Sequence, residues 1–162
     1  MIISNSTPIL HLGKVGHLDL LRKCFSKISI PEEVFLEISA FPESLEAILL
    51  HQALAEKWIE MEKVSLAPEL ELFSGLDIGE LKAISLALKK RKPLLIDDKA
   101  GKQVAILFHV EAHGTLFVIL EAYRQKCINR NQAIEIVNTM MRNEFYLSSE
   151  VYALFLELIN ER

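Results

Sequence analysis

Cysteine is scarce in this chain: Cys24 and Cys127 are the two among 162 residues, far apart and without partner spacing. That excludes a disulfide framework and a cysteine-built zinc site, and a reducing compartment is expected. No apolar run approaches the ~18 residues that a membrane span needs. The opening Met1-Ile2-Ile3-Ser4-Asn5 lacks the basic flank and long apolar stretch of a secretory leader. A cytoplasmic protein with no membrane partner is therefore expected. Also lacking are a glycine-rich phosphate loop, a dinucleotide fingerprint and a nucleophile elbow, which sets aside the chemistries those motifs serve. Excess positive charge is missing too, since the net charge is −4. Nothing global draws nucleic acid, although local patches and bound ions set the field at a site.

What is present is half apolar and one quarter charged, the balance of a globular protein. The length suits one domain over residues 1–162. Met1 to Ser4 reads as a short strand, followed by a helix with Thr7 as N-cap and Pro8 at its first position. Gly13 and Gly16 interrupt that helix, which resumes over His17 to Cys24. Ile28-Ser29-Ile30 is a second strand, and Pro31 opens a helix with Glu32 and Glu33 in its first turn. Glu43 to Lys57 is helical, and Trp58 to Val64 alternates like an edge strand. Ser65 to Leu76 reads as a loop and the flexible flap of the molecule. Ile78 to Arg91 is a helix, Leu94 to Asp98 a buried strand with an acidic tip, and Lys99 to Phe108 a helix. His109 to Ala112 forms a fifth strand, and Gly114-Thr115 starts the next helix. Two amphipathic helices close the chain, carrying Ala133 to Met141 and Val151 to Ile159. Strand–helix alternation up to residue 124 predicts an α/β core with a mainly parallel sheet, and 125–162 a helical extension.

Four acidic positions need explaining. Glu37 falls at the inward spacing of Val34, Ile38 and Phe41. Glu80 shares a face with Ala83, Ile84 and Ala87; Asp77-x-x-Glu80 also matches a capping box, and a cap and a ligand can be the same residue. Asp97 and Asp98 end a strand, and one of them is the cap of the following helix; adjacent strand residues face opposite ways. Ligands of such folds bind at the carboxyl edge of the sheet, where strand order reverses. If strands one and four flank that point, Asn5 and Asp98 lie side by side, with Glu37 and Glu80 approaching from helices. Several carboxylates in one crevice repel one another unless a cation sits among them. Hard oxygen ligands select Mg²⁺ or Mn²⁺. The one basic cluster, Lys89-Lys90-Arg91-Lys92, suits a helix C-terminus. The alternative is a phosphate-tracking patch joined by Lys99 and Lys102.

Ile2-Ile3-Ser4-Asn5-Ser6-Thr7-Pro8-Ile9-Leu10, Ile30-Pro31-Glu32-Glu33-Val34-Phe35-Leu36-Glu37-Ile38, Leu76-Asp77-Ile78-Gly79-Glu80 and Leu94-Leu95-Ile96-Asp97-Asp98 resemble the successive motifs of the PIN-domain nucleases. The Gly114-Thr115-Leu116 turn resembles a prokaryotic subgroup of them. The resemblance implies a three-layer fold with a parallel five-stranded sheet of order 3-2-1-4-5. It implies an acidic pocket holding Mg²⁺ or Mn²⁺ and endonucleolytic cleavage of RNA, with a toxin–antitoxin role, an antitoxin-like protein partner and a homodimer. Glu37, Glu80 and Asp98 carry over as the second, third and fourth acids, catalytic and metal-binding. Ser6 is the small hydroxyl residue beside the site, Lys99 and Lys102 are substrate-binding, and Asp97 is the reserve ligand. The departure is Asn5, where the family normally has its first aspartate. Asn5 keeps a ligating carbonyl oxygen but lacks the charge. Either a weakened nuclease or a non-catalytic module binding RNA or protein is therefore expected.

Overall fold

The computed structural model describes residues 1–161. At its centre lie five parallel strands: β1 (Ile2–Ser4), β2 (Ile28–Pro31), β3 (Ile59–Glu62), β4 (Leu94–Leu95) and β5 (Ala112–His113). Their order is β3-β2-β1-β4-β5, the order expected. The central β1 sets Ile2 opposite Ile28 on one side and Ser4 opposite Leu95 on the other. The strands of a parallel sheet covered on both faces are apolar throughout. Every residue of β1, β2 and β4 is accordingly buried. At the sheet's edge β3 does not show the expected alternation: Ile59 is buried and Met61, two residues on and on the same face, is exposed, with Glu60 and Glu62 half-buried.

Successive residues of a strand point to opposite faces, and this divides the core in two. Ile2, Ile28, Ile30 and Leu95 pack under α1 (Ser6–Lys14), α2 (Asp19–Phe25), α3 (Glu32–Ser39), α4 (Leu45–Ala55) and α7 (Thr115–Arg124). The closing helices α8 (Arg130–Arg142) and α9 (Ser149–Leu158) join the same cluster through Val137, Met140 and Phe155. Ile3, Leu94 and Ile96 face the other way, under α5 (Ile78–Lys90) and α6 (Lys99–Leu107). Three layers result.

Several local expectations are corrected. Asn5, not Thr7, is the N-cap of α1, and Pro8 falls at the third position, where its missing N–H has no intrahelical partner to lose. Gly13 does not interrupt α1. It lies inside the helix because a Cβ there would meet the Cβ of Glu46 at 2.6 Å and its Cα at 2.8 Å, so α1 and α4 touch at this glycine. Strand β4 is shorter than expected; beyond it the Ile96 N–H still reaches the His113 carbonyl, but Asp97 and Asp98 lie in the turn that follows. The fifth strand begins at Ala112, because His109, at φ 60°, still belongs to the turn leaving α6. Residues 65–76 are not a free flap. Leu70 is fully buried in the second cluster, and the Ala67 N–H donates to the Ser85 hydroxyl. Among the described residues no helix is long and apolar enough to cross a membrane.

Candidate active site

The carboxyl ends of β1 and β4 meet at the point where the strand order reverses. There the Asn5 N–H donates to the Leu95 carbonyl at 2.8 Å. Asn5 is the last extended residue before α1, and it is only 2% exposed. Its side chain does not cap the helix. The amide oxygen Oδ1 is buried and meets no hydrogen-bond donor. Leaving such an acceptor unpaired costs about 1–3 kcal/mol unless a water or ligand meets it.

Three elements converge on that oxygen. A Cβ placed on Gly79, in the first turn of α5, would lie 3.3 Å from Asp77 Oδ1, 3.5 Å from Glu37 Oε2 and 3.9 Å from Asn5 Oδ1. Glycine at position 79 therefore keeps open the space that these oxygens surround. Glu37 arrives from the exposed side of α3. Asp77 is the N-cap of α5 and forms a reciprocal box with Glu80: the Glu80 N–H donates to Asp77 Oδ1 at 2.8 Å and the Asp77 N–H to Glu80 Oε2 at 3.0 Å. Asp98 caps α6, its Oδ2 accepting the Gly101 N–H at 2.6 Å. Glu80 and Asp98 each have one oxygen committed to backbone and a second with no protein donor among the described residues.

Electrostatics ties the group together. Burial raises the Glu80 carboxyl above the ordinary glutamate range, and the neighbouring charges of Asp77, Asp98 and Glu37 push it further; the Asp77 N–H pulls the other way. As they stand, the acids surround a space without closing on it. Among the described residues no three Asp, Glu, His or Cys side chains are close enough together to hold a metal ion. The capping bonds turn one oxygen of Glu80 and one of Asp98 toward backbone and leave the other oxygen of each without a protein donor among the described residues. The donor set nevertheless fits a hard divalent cation: one buried neutral oxygen without a partner, and carboxylates around it.

Asp97 is committed elsewhere. Its Oδ1 accepts the Thr115 N–H at 2.7 Å and its Oδ2 the Thr115 hydroxyl at 2.6 Å, so it anchors the start of α7. The two adjacent aspartates thus serve two different helices. Ser6 is buried in the first turn of α1, next to Asn5. Lys99 is exposed at the start of α6. Lys102 turns from the acids toward Gly114 and lines a cleft of about 440 Å³ with Asp97, Phe117 and Leu154. The basic cluster stands at the opposite end of α5, about 15 Å along the helix from Glu80 at 1.5 Å per residue. Lys90 there pairs with Glu62, and Arg91 ends the helix in the left-handed conformation. Burial pushes the Cys24 thiol up to about 12, which disfavours the thiolate.

Sequence reasoning missed one contact altogether. Lys82, on α5, lies 3.3 Å from Glu33 Oε1 on α3 and donates to the Val64 carbonyl at 2.6 Å. This ties together the two helices that carry Glu37 and Glu80. No sequence signal could have found it, because the partners are 49 positions apart and neither breaks its helix's pattern.

A three-layer α/β domain with acids gathered at the sheet's reversal point belongs to the class of folds that bind ligands at that edge. The family model described as PIN domain matches residues 1–161, and the chain belongs to that family, whose fold is of nuclease type. A solved structure, a PilT N-terminus domain protein from the hyperthermophilic archaeon Sulfolobus solfataricus P2, is similar over 73% of this chain and 90% of that one, with 16% identity and a TM-score of 0.46. No curated protein matches the chain.

Proposed function

We propose that the chain is a metal-dependent endoribonuclease, acting in the cytoplasm as the toxin half of a toxin–antitoxin pair. Asn5, Glu37, Glu80 and Asp98 would hold Mg²⁺ or Mn²⁺. The single observation that carries this reading is the buried, unpartnered Asn5 Oδ1 facing a space ringed by carboxylates. An RNA phosphate is repelled by such a ring unless a cation neutralises it. When bound, the ion supplies an activated water and stabilises charge developing on the phosphoryl oxygens. The residues of the chain do the rest. Glu80, whose carboxyl in the metal-free chain holds its proton more tightly than an ordinary glutamate, would accept a proton from the attacking water. The committed oxygens of Glu80 and Asp98 fix both side chains to rigid helix starts, the preorganisation that catalysis needs. Exposed Lys99, one residue past Asp98, offers a phosphate contact at the rim.

The test is incubation of purified protein with structured and unstructured RNA and Mn²⁺, beside an Asp98→Ala/Glu80→Ala double variant. Cleavage that disappears in the variant supports the enzyme. A second reading is favoured by the amide at position 5 and by the absence of any three closed acids among the described residues. On that reading the crevice binds RNA or a protein partner without cutting, and RNA binding would persist with no cleavage by either protein.

A further inference from the structure

Asp77 has a charge that its role as a cap does not require. Asparagine and serine cap helices about as well as aspartate. Here the cap nevertheless places a carboxylate against Glu80, where its charge is unfavourable. Its Oδ1 takes the Glu80 N–H, and its Oδ2 accepts no protein hydrogen bond among the described residues. The same Asp77 Oδ1 borders the space beside Gly79 that Glu37 Oε2 and Asn5 Oδ1 also border. A second, independent observation points to a ligand in that space: the 2% exposed Asn5 aims a buried acceptor into it and finds no donor.

We infer that Asp77, besides capping α5, is a fourth carboxylate of the cation site and supplies the negative charge that the Asn5 amide lacks. The inference rests on the metal-binding reading above and assigns to it a residue that the motif carry-over left as a cap. Asn5 contributes a neutral oxygen from the end of β1, and Asp77 contributes charge from the start of α5 across the same opening. Glu37 borders the same space, and Glu80 feels the charges of Asp77, Asp98 and Glu37. The arrangement also accounts for the glycine at position 79, since a side chain there would fill the space between the two lips.

The experiment uses the full-length chain and Mn²⁺ alone, with the dissociation constant read from the free-Mn²⁺ electron paramagnetic resonance signal. Four proteins are compared: wild type, Asp77→Asn, Asn5→Asp, and Asn5→Asp with Asp77→Asn. Asp77→Asn keeps the cap and removes only a charge that repels Glu80, so its metal-free melting temperature should be no lower than that of the wild type. Its Mn²⁺ dissociation constant should rise about tenfold or more, the scale of one lost charge contact at partly screened range. The double variant, which moves the charge from one lip to the other, should recover to within about threefold of the wild type. Wild-type affinity in Asp77→Asn overturns the assignment while leaving the metal site standing. Loss in Asp77→Asn without recovery in the double variant also overturns it, because Asp77 would then act only through Glu80. No measurable Mn²⁺ binding by the wild type removes the metal-binding reading, and this inference with it.

Discussion

Glu80 is an acid placed where acids are disfavoured. It is partly buried among three other carboxylates, and its pKa lies above the ordinary glutamate value. The folded chain therefore holds this proton more tightly than the unfolded chain. The stabilising contribution is present at low pH and is lost as pH rises through the raised pKa. Without metal, Glu80→Gln should be more stable than the wild type at neutral pH, since an amide can still accept the Asp77 N–H and carries no charge. The gap should close as pH falls toward the ordinary glutamate range, read by urea unfolding at a series of pH values. A constant gap would mean that the neighbouring charges do not act on Glu80.

Elements rather than single residues decide which aspartate serves which purpose. Asp97 anchors Thr115 at the start of α7 and Asp98 caps α6, so the two changes should separate. Asp97→Ala should cost about 1–2 kcal/mol of stability, as for a lost cap, and leave Mn²⁺ affinity unchanged. Asp98→Asn should keep the cap and weaken Mn²⁺ binding. The α3–α5 contact makes a second prediction. Lys82→Met leaves Glu33 half-buried without its cation, and its Oε2 already has no partner. A loss of about 1–3 kcal/mol follows from stranding such a group, measurable by urea unfolding, with Lys82→Arg restoring most of it. The Asp77–Glu80 box was legible in advance because a cap is local, whereas Ser44 and Asn129, which also begin helices with side-chain bonds, were not singled out. The strand ends were less legible. Pairing across β4 and β5 ends where the backbone of the turns decides, and periodicity does not register that.

For the molecule as a whole, a net charge of −4 and an acidic crevice make bare RNA an unfavourable ligand. RNA affinity should therefore require Mn²⁺ or Mg²⁺ and fall sharply on adding EDTA, as read by filter binding at fixed ionic strength. Binding that ignores EDTA would place RNA on some other surface. The basic cluster is an unsuitable substitute, since Lys90 is paired with Glu62 and the cluster sits at the far end of α5.

By itself the sequence determined the alternation of strands and helices and, through its family resemblance, the sheet order, because periodicity, caps and motifs are properties of short stretches. Only the tertiary structure decided which oxygens are already bound and which are free. It turned Asp97 toward Thr115, brought Asp77 and Gly79 to the same opening as Asn5, and locked α3 to α5 through Lys82. These contacts join residues far apart in the chain, and their partners are set by how the layers pack against the sheet. No pattern within a single segment carries that information.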